Sequence, residues 1–303
     1  MRKKHLLFAV FGFCLFLWPL SSGGQQAGGQ GKSAPAADRL NTIGSDLNDA
    51  LSTMDNALEV NEEPNLEDEY YLGRAVTANI LAAYKPYNLK PELTRYLNRI
   101  CQTIAINSFQ PEIFNGYHVL ILDSNEFNSF ASPGGHILIT RGLLELIPSE
   151  DVLAALIAHE LAHVLLKHGA GIIADMRLNE GLTSTADRAV GIAARESNIA
   201  ARTALFRESV TALCDTLMKN GFSRAQEFEA DNAAITFLAA SGYDPGGLME
   251  MLKILQRVQR TRSGGFNSTH PSPEDRITNA ARMTGRYGVQ DTRSYRISRF
   301  RNK

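Results

Sequence analysis

The sequence of 303 residues lacks an excess of positive charge, a long apolar run and abundant cysteine. Its 31 basic and 32 acidic residues give a net charge of −1, which excludes a general electrostatic attraction to nucleic acid. Its apolar run at residues 6–20 ends at a proline and is shorter than the roughly 20 residues that span a bilayer. Cys14 lies inside this run, so a processed chain keeps Cys101 and Cys214, either as a disulfide or as two thiols.

The N-terminus has the pattern of an export signal. Basic residues in MRKKH precede the apolar run, and the small residues SSGG follow it. We expect a signal peptide at 1–23 and a mature protein that is periplasmic or secreted; retention of this segment as an N-terminal membrane anchor is the alternative. Residues 24–40 are rich in Gly, Gln and Ala, which is typical of a flexible linker.

The remaining chain has the length and the apolar content of one domain, which we place at 41–285, followed by a basic C-terminal tail at 286–303. We expect the tail to be solvated, with contact to anionic lipid as the alternative. Two β-branched runs predict neighbouring strands, and the rest predicts helices at 70–84, 91–106, 149–166, 171–219, 221–242 and 245–260. The expected fold is α+β, dominated by helices, with a small β-sheet beside the helix that starts after Ser149.

That helix contains the motif HELAH. His159 and His163 are four residues apart, so they project from one helical face toward a single point where one metal ion can bind both. Glu160 is displaced around the helix, where its carboxylate can reach a water on the metal without ligating the metal. The alternative is a helix with solvent-facing histidines, but the apolar flanks AALIA and LA favour a buried helix, in which an unpaired imidazole is costly.

The segment EFEAD offers a third ligand. Hydrolytic zinc sites need three protein ligands and an open fourth position. Glu227 and Asp231 are again four residues apart, so Glu227 can bind the metal while Asp231 accepts the remaining ring N–H of a ligand histidine. Glu229 points elsewhere on this helix. Taken without HELAH, the segment is more typical of an exposed acidic helix.

Four segments carry a resemblance to a known family, in this order: NSFASPGGHILITRGLLE, AALIAHELAHVLLKH, EFEADNAA and THPSPEDRI. Together they resemble metallopeptidase family forty-eight over about residues 71–282. The resemblance implies a zincin-like domain with one Zn²⁺ per chain, held by His159, His163 and Glu227. It implies Glu160 as the general base and Asp231 as the supporting acid.

The resemblance also implies a function and a location. It is closest to short, soluble, periplasmic members, whose substrates are misfolded or unassembled envelope proteins. Lys167 replaces the usual Arg before His168, and Ser129 replaces an Ala after Asn128. These two departures concern secondary contacts and leave the ligand set unchanged. His168 is expected to be a supporting or structural residue, and His118 and His136 to be strand or core residues.

The expected reaction is endoproteolysis, with Glu160 moving a proton from water to the leaving amine. His270 and Arg276 are candidates to stabilise the charge on the carbonyl oxygen. The edge of the strand GGHILIT could pair with an extended substrate, with Gly134 and Gly135 permitting close approach; an ordinary turn is the alternative. Such an edge accepts chain on both sides of the scissile bond, which favours an endopeptidase.

Other interpretations stay open at this point. His270 resembles a histidine that closes the fourth metal position, which would keep the protein latent; a loop histidine or a substrate contact is the alternative. A non-proteolytic, zinc-bound chaperone or assembly factor has no need of the base Glu160. A purely structural helical scaffold would make both spacings accidental. The sequence does not determine the oligomeric state.

Overall fold

The computed structural model describes residues 66–172, 199–261, 270, 273–288 and 293–301. The predicted signal peptide and linker lie outside these residues, and so does part of the helix predicted at 171–219. Most of the described chain is helical, with α1 (Leu66–Ala83), α2 (Pro91–Ile106), α3 (Arg141–Glu145), α4 (Glu150–Leu165), α5 (Ile199–Asp215), α6 (Arg224–Ala240), α7 (Gly246–Thr261), α8 (Pro273–Thr284) and α9 (Arg293–Arg301). None of these helices combines the length and the apolar character that a membrane crossing requires.

Three short strands form one sheet. They are β1 (His118–Leu122), β2 (Ser129–Ser132) and β3 (His136–Thr140), in the order β1, β3, β2. β1 is parallel to β3 and β2 is antiparallel to it. The predicted pairing of the two β-branched runs is confirmed, but β2 falls in the segment predicted as a turn. Its sequence, SFAS, has no β-branched residue, so strand propensity gave no signal there.

α4, the helix that carries HELAH, begins where the sequence predicts. The Ser149 hydroxyl accepts a hydrogen bond from the backbone N–H of Val152 at 3.3 Å. Glu150 and Asp151 lie in the first turn, at the positive end of the helix dipole. All 16 residues of α4 are buried. Its polar side chains must therefore find their partners inside the protein.

The sheet separates two hydrophobic clusters. In β3, Ile137 and Ile139 join the larger cluster with α2, α4, α6 and α7, whereas Leu138 joins the smaller one with α1 and α5. This is the alternation expected of a strand covered on both faces. Cys101 lies in the larger cluster and Cys214 in the smaller, and both are free. The considered disulfide is therefore not formed, and burial raises the pKa of Cys101 to about 12.

The C-terminal segment is expected to be a solvated tail. Most residues of α9 are exposed, but one of them is buried and anchors the helix. Arg296 is buried, with its Nε 2.7 Å from the Asp151 carboxylate, and it donates to the carbonyl of Gly242 at 2.8 Å. Arg299 donates to the carboxylate of Glu150. α9 thus packs on the N-terminal turn of α4, because its arginines compensate two carboxylates that the core has buried.

Candidate metal centre

His159 and His163 lie on one face of α4, as their spacing predicts. Both side chains are buried, and their Nε2 atoms are 3.2 Å apart. α6 packs against α4 and brings in the third residue: Glu227 has one carboxylate oxygen 3.6 Å from Nε2 of His159 and the other 3.4 Å from Nε2 of His163. The first turn of α6 is held by a capping box between Ser223 and Gln226. The structure therefore brings together the three residues that the sequence selects as ligands.

The spacing of these donor atoms fits one tetrahedral metal ion. Ligands about 2.05 Å from a tetrahedral centre are roughly 3.3 Å from one another. The two Nε2 atoms are 3.2 Å apart, and they lie 3.6 and 3.4 Å from different oxygens of the Glu227 carboxylate. Burial holds the pKa of His163 well below its usual value, which leaves the neutral imidazole that a metal requires. Burial alone would raise the pKa of Glu227, but His270 and Arg276 outweigh it and keep the carboxylate ionised.

His270 joins this cluster from the loop before α8. Its Nδ1 lies 2.8 Å from Glu227 and 3.4 Å from Nε2 of His159. Within the described residues, potential ligand atoms of His159, His163, Glu227 and His270 all lie within 4.8 Å of one another. Burial lowers the pKa of His270, but the charges of Glu227 and Glu160 raise it overall. The cluster therefore offers three ligands and a fourth nitrogen beside them.

Asp231 and Arg276 lie directly behind the ligands. One Asp231 oxygen is 3.1 Å from Nδ1 of His159, so Asp231 is placed to accept that ring N–H. Arg276 donates two hydrogen bonds to Asp231, at 2.7 and 2.8 Å, and its Nη1 lies 2.5 Å from Glu227. Because all three guanidinium nitrogens already face carboxylates, the geometry favours a supporting role for Arg276 over contact with a substrate carbonyl.

Glu160 is held on one side and open on the other. Its Oε1 accepts a hydrogen bond from the Ser129 hydroxyl at 2.7 Å. Its Oε2 is buried and has no hydrogen-bond partner in the described part of the chain. Sequence reasoning noted Ser129 only as a departure from a family pattern, because the contact depends on β2. A base with one fixed and one available oxygen is suited to receive a proton.

His168 and Glu229 approach the ligands from another side. His163 and His168 bring their Nδ1 atoms to 2.8 Å, and Nε2 of His168 lies 3.2 Å from a Glu229 carboxylate oxygen. Glu229 therefore faces away from the donor atoms, as expected, yet is connected to them through His168. His136 lies outside the cluster, with its Nδ1 3.2 Å from the carbonyl of Pro133; burial lowers its pKa to about 4.

The expected substrate edge on β3 is wrong. β3 lies between β1 and β2, so both its edges are already paired. Gly134 and Gly135 adopt positive φ angles, and an added Cβ would lie 2.4 Å from the Cα of Tyr70 or 2.5 Å from the side chain of Ile113. These glycines therefore permit close packing within the protein. β2 is the outer strand nearest to the base, since Ser129 belongs to it.

Comparisons with known proteins agree with this site. The chain is 27% identical over 256 residues to the beta-barrel assembly-enhancing protease of Escherichia coli K12, covering 82% of this chain and 49% of that protein. It is 28% identical over 200 residues to the mitochondrial metalloendopeptidase OMA1 of Schizosaccharomyces pombe, covering 65% of this chain and 53% of that protein. It is 27% identical over 154 residues to the metalloprotease LoiP of E. coli K12, an alignment that covers 50% of this chain and 57% of that protein.

The chain thus spans about half the length of the curated relatives that it matches. The model of peptidase family M48 matches residues 91–284, which include HELAH, EFEAD and Arg276. This match covers well over half of the chain. The chain belongs to peptidase family M48.

Proposed function

We propose that the chain is a zinc-dependent endopeptidase. The observation that carries this proposal is the convergence of His159, His163 and Glu227 at tetrahedral spacing, beside a carboxylate oxygen of Glu160 that has no described partner. Members of the family use zinc, and the cluster supplies ligands for one ion. The resemblance to proteases and metalloendopeptidases supports hydrolysis of peptide bonds as the reaction.

Each residue has a defined part in this chemistry. His159, His163 and Glu227 would hold the zinc ion, which would supply Lewis-acid chemistry by making water more acidic and polarising the substrate carbonyl. Glu160 takes the proton of the attacking water on its open oxygen and delivers it to the leaving amine, while Ser129 holds the other oxygen. Asp231 fixes the Nδ1–H tautomer of His159, and Arg276 keeps Asp231 and Glu227 ionised.

The substitution Glu160→Gln tests the proposal against a zinc-bound chaperone. We expect cleavage of an unfolded protein to fall about 10²–10⁴-fold, since a positioned general base contributes about that much. The zinc content of the purified protein should stay at the wild-type value, because Glu160 is not a ligand. Cleavage at the wild-type rate would refute the proposal, whereas suppression of substrate aggregation by both proteins without cleavage would favour the chaperone.

The substrate class and the location belong to the same proposal. A relative named for enhancing beta-barrel assembly suggests misfolded or unassembled envelope proteins as substrates, and the residues at 1–23 suggest export to the periplasm. N-terminal sequencing of the protein from a periplasmic extract tests this: a new terminus near Gly23 is expected, and an intact Met1 in the membrane fraction would favour an anchor.

His270 is proposed as a regulator of access to the metal. Its buried imidazole lies beside Glu227 and His159, where it would occupy the fourth position until substrate displaces it. Replacing His270 with Ala should then raise the rate of cleavage at equal zinc content. A rate that is unchanged or lower would assign His270 to substrate binding or to the loop.

Peripheral contact with anionic lipid remains a second proposal for the C-terminal segment. Arg296 and Arg299 of α9 are engaged with α4, but Arg293, Tyr295 and Arg301 are exposed. Cosedimentation with phosphatidylglycerol vesicles, but not with phosphatidylcholine vesicles, is the expected result. Equal sedimentation with both would count against this contact.

A further inference from the structure

A chain of two hydrogen bonds leads from His163 to the surface. Nδ1 of His163 lies 2.8 Å from Nδ1 of His168, and Nε2 of His168 lies 3.2 Å from a Glu229 oxygen. His168 is buried, whereas the Glu229 side chain is 63% exposed. On its other face the His163 ring stacks on Phe222, with centroids 4.1 Å apart. The ring is therefore confined by stacking and by one specific polar contact.

The ring protons of His163 and His168 can be arranged in only one way along this series of hydrogen bonds. Nε2 of His163 points at the other ligand atoms, so as a metal ligand it carries a lone pair and the ring proton is on Nδ1. Nδ1 of His163 is then the donor to Nδ1 of His168, which must accept. His168 consequently carries its proton on Nε2, from which it donates to Glu229. Glu229 thus fixes the tautomer of His168, and His168 fixes the tautomer of His163.

The local backbone places His168 where this is possible. α4 ends at Leu165, and Lys167 adopts a positive φ of 55°, a conformation that non-glycine residues seldom take. This turn brings the next side chain back beside the helix it has just left. Nζ of Lys167 lies 2.9 Å from the buried carboxylate of Glu69 on α1, which helps to hold the turn.

We propose that His168 and Glu229 are positioning residues for the metal ligand His163, and that they raise the zinc affinity of the site by fixing its tautomer and ring orientation. The proposal rests on the assignment of His163 as a ligand. It gives the two ligand histidines separate supports: Asp231 acts on His159, and His168 acts on His163. Loss of such a supporting partner commonly weakens metal binding about 10–100-fold.

Zinc affinity, measured on the full chain by competition with a chromogenic chelator, tests the proposal. His168→Leu removes the acceptor and should weaken zinc binding about 10–100-fold. His168→Asn is the matched control, because its side-chain oxygen can occupy the place of Nδ1 and accept from His163; we expect affinity within a few-fold of wild type. The visible absorption of the cobalt-substituted protein should change in His168→Leu and stay near wild type in His168→Asn.

Glu229 provides a second pair of variants that should leave folding intact, since its side chain is largely exposed. Glu229→Gln keeps an acceptor for His168 and should bind zinc like wild type, whereas Glu229→Ala should bind more weakly. Equal affinity in wild type, His168→Leu and Glu229→Ala would overturn the proposal. If His168→Leu does not fold in its zinc-free form, judged by circular dichroism, the Glu229 pair alone decides.

The variant His163→Ala separates this proposal from the ligand assignment beneath it. Loss of zinc in His163→Ala together with wild-type affinity in His168→Leu would refute the supporting role and leave the ligand in place. Wild-type affinity in His163→Ala would remove the ligand assignment, and the supporting role would fall with it.

Discussion

Both ends of α4 bury carboxylates beside arginines, but among the described residues the C-terminal end alone gathers a cluster of potential metal ligands. At the N-terminal end, Glu150 accepts from the Tyr96 hydroxyl and from Arg299. Its neighbour Asp151 accepts from the backbone N–H of Asp244 and lies against Arg296. Each of these two carboxylates therefore faces an arginine and a second donor, and we call this the complete end of α4. The role of these contacts is to hold α9 and the start of α7 onto the helix.

At the C-terminal end the compensation is incomplete. Arg276 matches Asp231 and part of Glu227, yet the Nε2 atoms of His159 and His163 face each other at 3.2 Å, and Oε2 of Glu160 has no described partner. Converging lone pairs need a cation. Burial of charge is therefore common to both ends, and what distinguishes the functional end is an excess of acceptors around one point.

The largest effect should come from Arg276→Met, which leaves Glu227 and Asp231 as buried carboxylates without their main cation. We expect the zinc-free protein to lose about 3–5 kcal/mol in free energy of unfolding. Saturating zinc should restore part of this loss, because the ion supplies positive charge to Glu227. Denaturant unfolding with and without zinc measures both quantities. A zinc-free variant as stable as wild type would show that Arg276 is not the main compensating charge.

Arg296→Met makes the corresponding change at the complete end. It should lower the free energy of unfolding by about 3 kcal/mol, which is less than the loss for Arg276→Met because Asp151 still accepts a hydrogen bond from the backbone N–H of Asp244. Here the loss should be the same with and without zinc, and zinc content should be unchanged. Arg299→Met is the second variant on the same helix. Although 54% of the Arg299 side chain is exposed, the change leaves the buried Glu150 carboxylate with the Tyr96 hydroxyl and without its arginine, so we expect a loss of about 1–3 kcal/mol, again independent of zinc. A zinc-dependent loss in Arg296→Met would contradict the separation of the two ends.

The residues at the incomplete end of α4 can be predicted from the sequence, whereas the contacts at the complete end cannot, and the reason is physical. Two candidate ligands in HELAH, and one candidate ligand with its supporting acid in EFEAD, lie at helical spacings of four, so local geometry alone brings each pair to one face. α9 has no apolar periodicity, and its one buried residue is an arginine whose partner is 145 residues away in sequence. No helix is predicted at α8, although its first turn holds a proline, Pro273, and two acidic residues, which are typical of a helix start.

The contact between Ser129 and Glu160 gives the smallest expected effect and the sharpest test of the open oxygen. Hydrogen bonds to charged groups contribute about 1.5–3 kcal/mol. Because packing around the buried helix α4 also restricts the Glu160 side chain, we expect Ser129→Ala to lower kcat about 10-fold, or about 1.4 kcal/mol. KM and zinc content should not change, because Ser129 orients the base and binds neither the metal nor the ground-state substrate.

Ser132→Ala is the control for this prediction, because Ser132 is buried on the same strand and donates to the carbonyl of Gly73 at 3.0 Å, away from the base. It should lower stability by about 1 kcal/mol and leave kcat near wild type. Equal losses of kcat in the two variants would mean that β2 acts through general packing. A loss confined to Ser129→Ala would mean that the protein satisfies one oxygen of Glu160 with a hydroxyl and leaves the other for the reaction.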